Sequence, residues 1–286
     1  MAVGVVGLGN MGLGMAASLV RGGERVFGFD FDAGRCALAA EAGVSVSGDV
    51  GALIAACEVA VLSLPNGGAV GPVVDAFVAG APAEGVLVDT STLDVAQARW
   101  FAERVSGSGR AMLDAPVSGG ASGAAAGKLT MMVGGEAEAL ARVRPVLDKL
   151  AARIVHVGGP GAGQVAKLAN NMLVAAHLVT AAEAVRMAVR AGVSAEAVLE
   201  VVNGASGRSA ASEVNFPRWI LSGSFDSGFA TGLMRKDVGL AMDLARDSGA
   251  DVPVCRRAAL VWLEESVEIA DAADFNRVPA AILDQA

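Results

Sequence analysis

Hydrophobic and polar positions follow two rhythms along this chain, and the change between them lies near its middle. In the first half, short runs of β-branched residues alternate with amphipathic or alanine-rich stretches of helical length. We predict strands over residues 2–7, 25–30, 58–64, 85–91 and 111–117, and two more over 129–135 and 153–158 around a helix at 136–151. Strands that alternate with helices are typical of parallel βαβ units. This half therefore indicates a doubly wound α/β domain.

The segment "GGPGAG" at 158–163 is the strongest breaker in the chain, because glycine and proline interrupt both helices and strands. Beyond it, strand-like runs disappear. One long helix is predicted over 164–191, and shorter helices over 195–203, 209–221, 231–248 and 254–270. The pattern predicts a doubly wound α/β domain over residues 1–162 and an all-helical domain over residues 163–286, with the long helix between them.

The first predicted strand runs directly into a glycine-rich loop, "GLGNMG", in which Gly7, Gly9 and Gly12 have G-x-G-x-x-G spacing. Such a loop lets a pyrophosphate approach the backbone at the start of a helix. The second strand ends at Asp30, where an acid accepts hydrogen bonds from ribose hydroxyls and repels a 2′-phosphate. The sequence thus predicts dinucleotide binding with NAD preferred over NADP, although Arg35 could soften that preference.

The charge and cysteine content of the chain argue against several classes of binding partner. The chain is 53% hydrophobic with a net charge of −8 and no run of Lys or Arg, so neither nucleic acid nor a membrane surface is an expected partner. Cys36, Cys57 and Cys255 show neither zinc-site nor disulfide-framework spacing, which predicts no metal and suits a reducing cytoplasm. The apolar N-terminal stretch lacks the basic region of a signal peptide, and no transmembrane span is expected.

A nicotinamide enzyme that acts on an alcohol needs a group to exchange the hydroxyl proton. The chain has no tyrosine, which excludes a Tyr-x-x-x-Lys mechanism. His156 and His177 remain alternatives, one as a strand-end residue and the other as a packed polar residue on the long helix. Lys167 and Asn171 lie four residues apart on that helix and share a face with Gln164. Later in the helix, Glu183, Arg186 and Arg190 form a polar stripe on a different face. The separate position of the Lys167 patch favours a polar cleft between domains over a lysine on a solvated face.

Four stretches together resemble the signatures of the β-hydroxyacid dehydrogenases, a group that includes 3-hydroxyisobutyrate dehydrogenase and tartronate semialdehyde reductase. They are "GLGNMGLGMAASL" after the first strand, "DAPVSGGASGAAAGKLTMMVGG" at 114–135, "GAGQVAKLANN" at 161–171 and "LMRKDVGLAMD" at 233–243. The resemblance covers nearly the whole chain. It implies a dinucleotide-binding Rossmann domain, a long interdomain helix and an all-α C-terminal domain that binds the substrate. Separately, the long helix is apolar over much of its surface, more than the helical half alone can cover, which predicts a homodimer or homotetramer with the C-terminal helices packed against a partner subunit.

The resemblance also implies roles for individual residues. Lys167 would be the catalytic acid/base and Asn171 an amide that orients the substrate. The predicted substrate-binding residues are Ser118, Gly119 and Gly120 for the carboxylate, with Lys236 and Phe229. The predicted cofactor-binding residues are Gly7, Leu8, Gly9, Asn10, Met11, Gly12, Asp30, Leu64, Pro65, Thr92 and Lys236.

These residues predict an NAD-dependent oxidoreductase. Hydride would pass between NAD and a small β-hydroxy acid, such as 3-hydroxyisobutyrate, or the matching semialdehyde, while Lys167 exchanges the proton. Burial and nearby positive charge would help that lysine to lose its proton. Two alternatives stay open: an imine reductase-like enzyme on the same fold, which typically departs at the position of Lys167, and a non-catalytic dinucleotide-binding module that senses redox state.

Overall fold

The computed structural model describes residues 1–284, and the chain divides into two compact units. The first unit comprises Met1–Lys167 and the second begins at Leu168. This division lies inside a long helix, five residues beyond the domain boundary predicted between residues 162 and 163.

A nine-stranded sheet forms the centre of the first unit. Its strands, in chain order, are β1 (Ala2–Val6), β2 (Arg25–Phe29), β3 (Ser45–Val46), β4 (Val59–Leu62), β5 (Val86–Asp89), β6 (Ala111–Asp114), β7 (Val117–Ser118), β8 (Leu129–Gly134) and β9 (Ala151–Gly158). The order in the sheet is β3-β2-β1-β4-β5-β6-β8-β7, and β9 pairs with β8. Strands β1 to β6 are mutually parallel, as the alternation of strands and helices predicts.

Hydrophobic side chains cover both faces of this sheet, because successive residues of a strand point to opposite sides. Val5 and Val61 belong to one buried cluster, whereas their neighbours Val6 and Leu62 belong to another. Buried parallel strands are expected to read as continuous hydrophobic runs for this reason. The helices of the unit are α1 (Asn10–Arg21), α2 (Ala33–Glu41), α3 (Val50–Ala55), α4 (Gly67–Gly80), α5 (Val95–Ser106), α6 (Gly120–Ala126) and α7 (Ala137–Leu147).

The structure corrects three local predictions in this unit. The strand predicted over 111–117 is two strands, since β6 ends at Asp114 and Pro116, which has no N–H to donate, lies before β7. Strand β8 runs antiparallel to β6 and β7, so the sheet is mixed at this side. No element is predicted between residues 117 and 129, where the structure has helix α6, whose alanine-rich sequence has high helix propensity.

The second unit is helical, and it receives all but the first turns of the long helix α8 (Ala162–Arg190). The other helices are α9 (Ala195–Gly204), α10 (Thr231–Ser248), α11 (Pro253–Leu260) and α12 (Arg277–Asp284), with π-helical segments at Ala211–Ile220 and Val261–Glu265. The predicted helix over 254–270 is therefore wrong beyond Glu265, and α12 was not predicted. Its third residue is Pro279, a residue that fits the first turn of a helix but reads as a breaker in sequence.

Helix α8 is long and apolar enough to cross a bilayer by length and composition alone. One third of its most apolar window is buried, and the core helix of a globular protein meets the same criterion. Length and composition therefore do not separate the two kinds of helix, and the absence of a membrane partner stays a prediction.

Candidate active site

In the glycine-rich loop after β1, two of the three glycines are required by close packing of the backbone, and the third borders open space. Gly7 has a φ of +89°, and a Cβ there would overlap the carbonyl oxygen of Ser63. A Cβ on Gly12 would overlap the carbonyl oxygen of Gly7. A Cβ on Gly9 would meet no protein atom within 4 Å. Packing therefore explains Gly7 and Gly12, whereas the open space at Gly9 fits a group that approaches the backbone from outside the protein.

The loop lies where an anion is expected in this class of fold. Strand β1 pairs with β2 on one side and β4 on the other, so the order of strands reverses there, and ligands bind at such switch points. Helix α1 follows, capped by Gly9 without a side-chain hydrogen bond. The amides of a first helical turn have no partner within the helix and attract phosphate. The predicted loop residues thus fit a dinucleotide pyrophosphate, with Asn10 and Met11 in that first turn.

Asp30 directly follows β2 and is fixed beside this loop. Its Oδ2 accepts a hydrogen bond from the Leu8 N–H at 2.6 Å, and its Oδ1 accepts one from the Asp32 N–H at 3.0 Å. The Leu8 side chain is fully buried, so only the backbone of Leu8 is available to a ligand at this loop. Arg35 donates from Nη1 to Oδ1 of Asn10 at 3.1 Å. A carboxylate and a guanidinium therefore both stand at the loop.

Two further segments follow strand ends on the same edge of the sheet. Leu64 and Pro65 lie two and three residues after the end of β4, and Thr92 lies three residues after the end of β5. The segments are joined by a hydrogen bond of 3.0 Å from the Leu64 N–H to the Ser91 Oγ. The carboxyl ends of β1, β2, β4 and β5 thus bring all the cofactor-binding residues predicted in the first unit to one edge.

Gln164 ties the start of α8 to the loop after β5. Its Oε1 accepts a hydrogen bond from the Leu93 N–H at 3.0 Å, and its Nε2 donates to the Ser91 carbonyl at 2.8 Å. The side chain is fully buried. The sequence groups Gln164 with Lys167 and Asn171 in a cleft-facing patch, but both ends of its amide are bonded to first-unit backbone. Gln164 therefore holds the helix in place.

Asp114 anchors the same end of the helix from the adjacent strand. Its carboxylate accepts hydrogen bonds from the N–H groups of Gly161 at 2.7 Å and Gln164 at 3.0 Å. Burial raises the pKa of the Asp114 carboxyl above its ordinary value, and these backbone donors oppose the shift. Asp114 and Gln164 together fix the helical turn that carries Lys167.

Lys167 is buried, with 7% of its surface exposed, so it is not a lysine on a solvated face. Its Nζ donates to the Val117 carbonyl at 2.8 Å. Val117 immediately precedes the predicted carboxylate-binding residues Ser118, Gly119 and Gly120, and the two glycines have φ of +131° and +64°. The structure therefore brings the ammonium of Lys167 to the strand that leads into the SGG turn.

Within the second unit, Asn171 lies against a residue that the sequence did not single out. Asn171 is buried, and its Nδ2 donates to Oδ2 of Asp237 at 2.6 Å. The neighbouring Asn170 donates from Nδ2 to Oδ1 of Asn171 at 3.1 Å. Lys236 places its Nζ 3.3 Å from the other oxygen of Asp237. Asn171 and Lys236, two predicted site residues, are thus joined through one carboxylate.

Three further residues were candidates for the site, namely Phe229, His156 and His177. Phe229 packs edge-to-face on Phe275, with ring centroids 5.2 Å apart. His156 lies on β9 with Nε2 2.8 Å from the Gly135 carbonyl oxygen, as expected of a strand residue. His177 is exposed, so its interpretation as a packed polar residue is wrong. Across residues 1–284, no group of three His, Cys, Asp or Glu side chains is placed to hold a metal ion.

Sequence reasoning missed three residues of this region, namely Asp114, Ser91 and Asp237. Asp114 opens one quoted motif and Asp237 follows Lys236 within another, so each lies in a stretch that the sequence analysis had already singled out. The hydrogen bonds that join them to Leu64, Gly161, Gln164 and Asn171 span 27 to 73 residues of the chain, and no spacing rule connects such distant residues.

Comparison with known proteins covers both units. Residues 2–158 match the model of the NAD binding domain of 6-phosphogluconate dehydrogenase. Residues 161–281 match the model described as NAD-binding of NADP-dependent 3-hydroxyisobutyrate dehydrogenase. The two matches meet close to the start of α8.

Individual relatives match over almost the whole chain. A probable 3-hydroxyisobutyrate dehydrogenase of Mycobacterium tuberculosis is 39% identical over 282 residues, which is 96% of each protein. The 2-(hydroxymethyl)glutarate dehydrogenase of Eubacterium barkeri is 34% identical and covers 91% of this chain and 87% of its own. The solved structure of M. tuberculosis 3-hydroxyisobutyrate dehydrogenase with L-serine has a TM-score of 0.92 at 38% identity, over 98% of both chains.

Imine reductases share the fold at a greater distance. The enzyme of Streptomyces aurantiacus has a TM-score of 0.65 at 21% identity, a likeness that concerns the fold alone. One family model matches more than half of this chain, and the relatives at 34–39% identity cover nearly all of it. The chain belongs to the β-hydroxyacid dehydrogenase family, whose members are NAD(P)-dependent oxidoreductases.

Proposed function

We propose that this protein oxidises a small β-hydroxy acid, or reduces the matching semialdehyde, with Lys167 as the general acid/base. One observation carries the proposal: a buried lysine bonded to Val117, one residue before the SGG turn, in a chain of this family. The relatives described above are named for 3-hydroxyisobutyrate and 2-(hydroxymethyl)glutarate. Both substrates are hydroxy acids, which supports the substrate class.

Lys167 has the chemistry that the reaction requires. Its Nζ accepts the proton of the substrate hydroxyl in the oxidation direction and returns it in the reduction direction. The hydrogen bond to the Val117 carbonyl orients the nitrogen, and a positioned acid or base is worth about 10²–10⁴-fold in rate.

The turn at Ser118, Gly119 and Gly120 suits a carboxylate. The hydroxyl of Ser118 and the backbone N–H groups of the glycines are donors to an anion. Gly120 has a positive φ, and a Cβ there would meet no protein atom within 4 Å, which leaves room for a ligand. On the second unit we assign Asn171 to orient the substrate hydroxyl, and we retain Lys236 and Phe229 as substrate contacts.

A bound nicotinamide dinucleotide supplies the hydride acceptor or donor. We propose NAD as the preferred form, because the Asp30 carboxylate is fixed beside the phosphate loop and would repel a 2′-phosphate. Arg35 opposes that preference, since its guanidinium bonds Asn10 at the same loop. The balance between the two charges is what the cofactor experiment below measures.

The activity is tested by following NADH formation at 340 nm with a panel of β-hydroxy acids and, in reverse, their semialdehydes, with a cyclic imine as a separate arm. On the best substrate, Lys167→Met should lower kcat by about 10²–10⁴-fold while NADH binding, read by fluorescence, stays near wild type. Lys167→Arg should also fail, because guanidinium keeps its proton.

Three results would overturn the proposal. They are no turnover of any hydroxy acid, turnover of the imine alone, or near-wild-type kcat in Lys167→Met. If that variant stayed active, His177 would be the next residue to replace. In wild-type protein the oxidation rate should rise with pH as the lysine loses its proton.

The cofactor preference is tested by comparing kcat/KM for NAD and NADP. Asp30→Ala should lower the ratio of NAD to NADP efficiency by roughly tenfold or more, because it removes the ribose acceptor and the repulsive charge. Asp32→Ala removes an equal charge two residues away and should leave the ratio closer to wild type. A wild-type preference for NADP would contradict the assignment.

We also propose that the protein is a cytoplasmic homodimer or homotetramer. Helix α8 exposes Leu173 and Met187 at 53% and 70% of their surface, and large exposed apolar residues on one element favour a subunit interface. The three cysteines are free thiols, which suits a reducing compartment. Light scattering at micromolar concentration should give at least twice the chain mass, and a monomer mass would contradict the assembly.

A further inference from the structure

Asp237 lies on α10 as a nearly buried carboxylate, with 2% of its surface exposed. Its Oδ2 accepts the hydrogen bond from Asn171 Nδ2 at 2.6 Å. Its Oδ1 is 3.3 Å from the Lys236 Nζ and accepts no hydrogen bond from the described part of the chain. Burying a carboxylate is costly unless it is paired, so this position calls for an explanation beyond packing.

The carboxylate determines which way the Asn171 amide faces. An ionised Asp only accepts hydrogen bonds, whereas an Asn amide has one accepting and one donating end. The nitrogen of Asn171 must therefore be the end that faces Asp237, and its oxygen lies at the opposite end. The Asn170 Nδ2 donates to that oxygen at 3.1 Å, which agrees with the same orientation. The direction of the second N–H of Asn171 is thereby fixed.

We propose that Asp237 is a positioning residue, which holds the Asn171 amide so that its second N–H donates to the oxygen of the reacting carbon. This inference rests on the proposed function. When Lys167 removes the hydroxyl proton, that oxygen gains negative charge and needs a donor. An amide turned the other way would present its own oxygen and repel the developing charge. Asp237 acts through Asn171 and exchanges no proton with the substrate.

The test is Asp237→Asn, which keeps the size of the side chain but lets it either donate or accept. Because Asn171 can then turn over, kcat should fall roughly 10–100-fold, less than the about 10²–10³-fold for deleting an oxyanion donor. NADH binding and Tm should stay near wild type. Asp243→Asn is the matched control: Asp243 lies on the same helix and pairs with Arg246 near the surface, and its replacement should leave kcat unchanged.

A double-mutant cycle separates positioning from a structural role. Once Asn171→Ala has removed the amide, Asp237→Asn should cause no further loss of kcat, because the residue through which it acts is gone. Losses that multiply would overturn the proposal, since Asp237 would then act through Lys236 or through packing. Wild-type kcat in Asp237→Asn alone would also overturn it.

The exchanged pair, Asn171→Asp with Asp237→Asn, sharpens the test if the single variant folds poorly. It restores one carboxylate–amide hydrogen bond, so Tm should recover, but the side chain at position 171 then has no N–H to donate and kcat should stay low. Recovery of kcat with Tm would overturn the proposal. Its failure is distinguishable from that of the proposed function, which is decided by Lys167→Met and the substrate panel.

Discussion

Buried amide and carboxylate side chains find different partners in the two units. In the first unit, Gln164 and Asp114 bond only backbone groups, namely the N–H and C=O groups that follow β5 and begin α8. In the second unit, Asn171 bonds the carboxylate of Asp237, and Asn215 donates to the Asn276 amide at 2.8 Å. In the first unit these side chains are held by hydrogen bonds to the backbone, and in the second unit they are held by hydrogen bonds to other side chains.

This difference affects how each region tolerates change. Backbone partners survive any substitution that preserves the path of the chain, so the first unit is sensitive where the path itself is tight, at its glycines. Side-chain partners disappear with a single substitution and leave the other member of the pair buried and unsatisfied, which costs about 1–3 kcal/mol per group. The second unit should therefore be sensitive at its buried amides.

The largest effect on stability is expected at the phosphate loop of the first unit. Gly12→Ala places a methyl group against the Gly7 carbonyl oxygen, and a backbone atom cannot move aside as a flexible side chain can. We expect a loss of about 3 kcal/mol or more in the free energy of unfolding, measured by urea denaturation. Cofactor binding should be lost as well.

Gly9→Ala is the matched control for this substitution. A Cβ at Gly9 meets no protein atom, so the free energy of unfolding should stay within about 0.5 kcal/mol of wild type, while NAD binding weakens because the methyl group occupies the space of the pyrophosphate. Equal destabilisation by both variants would show that backbone geometry does not set the sensitivity of this unit.

A smaller effect is expected at a buried amide of the second unit. Asn276 is fully buried, accepts from Asn215 and donates to Oδ1 of Asp274 at 2.8 Å. Asn276→Leu keeps the volume but leaves both partners without that contact, so unfolding should become easier by about 2–4 kcal/mol. Calorimetry should show Tm lower by roughly 5–10 °C.

Thr180→Val serves as its control, because Thr180 is exposed and bonds only carbonyls of its own helix. Its Tm should stay within about 2 °C of wild type. A similar Tm for Asn276→Leu and Thr180→Val would remove the proposed contrast between the units.

The smallest effect concerns chemistry rather than stability. Cys57 lies in a core of the first unit, 1% exposed, and burial raises the pKa of its thiol to about 11. At pH 8 about one such thiol in a thousand is ionised, and the thiolate is the reactive form. Cys36 and Cys255 are partly exposed. A thiol reagent should therefore label two cysteines per native chain and the third only in denaturant; three fast reactions would show that this core opens readily.

Much of the first unit was predictable, because its information is local. β-Branched runs marked β1, β2, β4 and β5, and the glycine spacing marked the loop that ends at Gly12. The prediction failed where a short element carried no run of its own, as in β3, or where Pro116 divided what read as one strand. In the second unit, the sequence pattern predicted α8 to α10 at the correct positions, whereas α12 was missed because no clear helix-start signal precedes it.

The sequence by itself determined the α/β-then-helical order, the dinucleotide loop and the candidacy of Lys167, because each depends on neighbours within a few residues. Only the tertiary structure decided that Lys167 is buried against Val117, that Gln164 holds the helix, and that Asp237 fixes the amide of Asn171. These contacts join residues 50 to 73 positions apart. Hydrophobic periodicity records which face of an element is buried, but it carries no information about which distant polar group that face will meet.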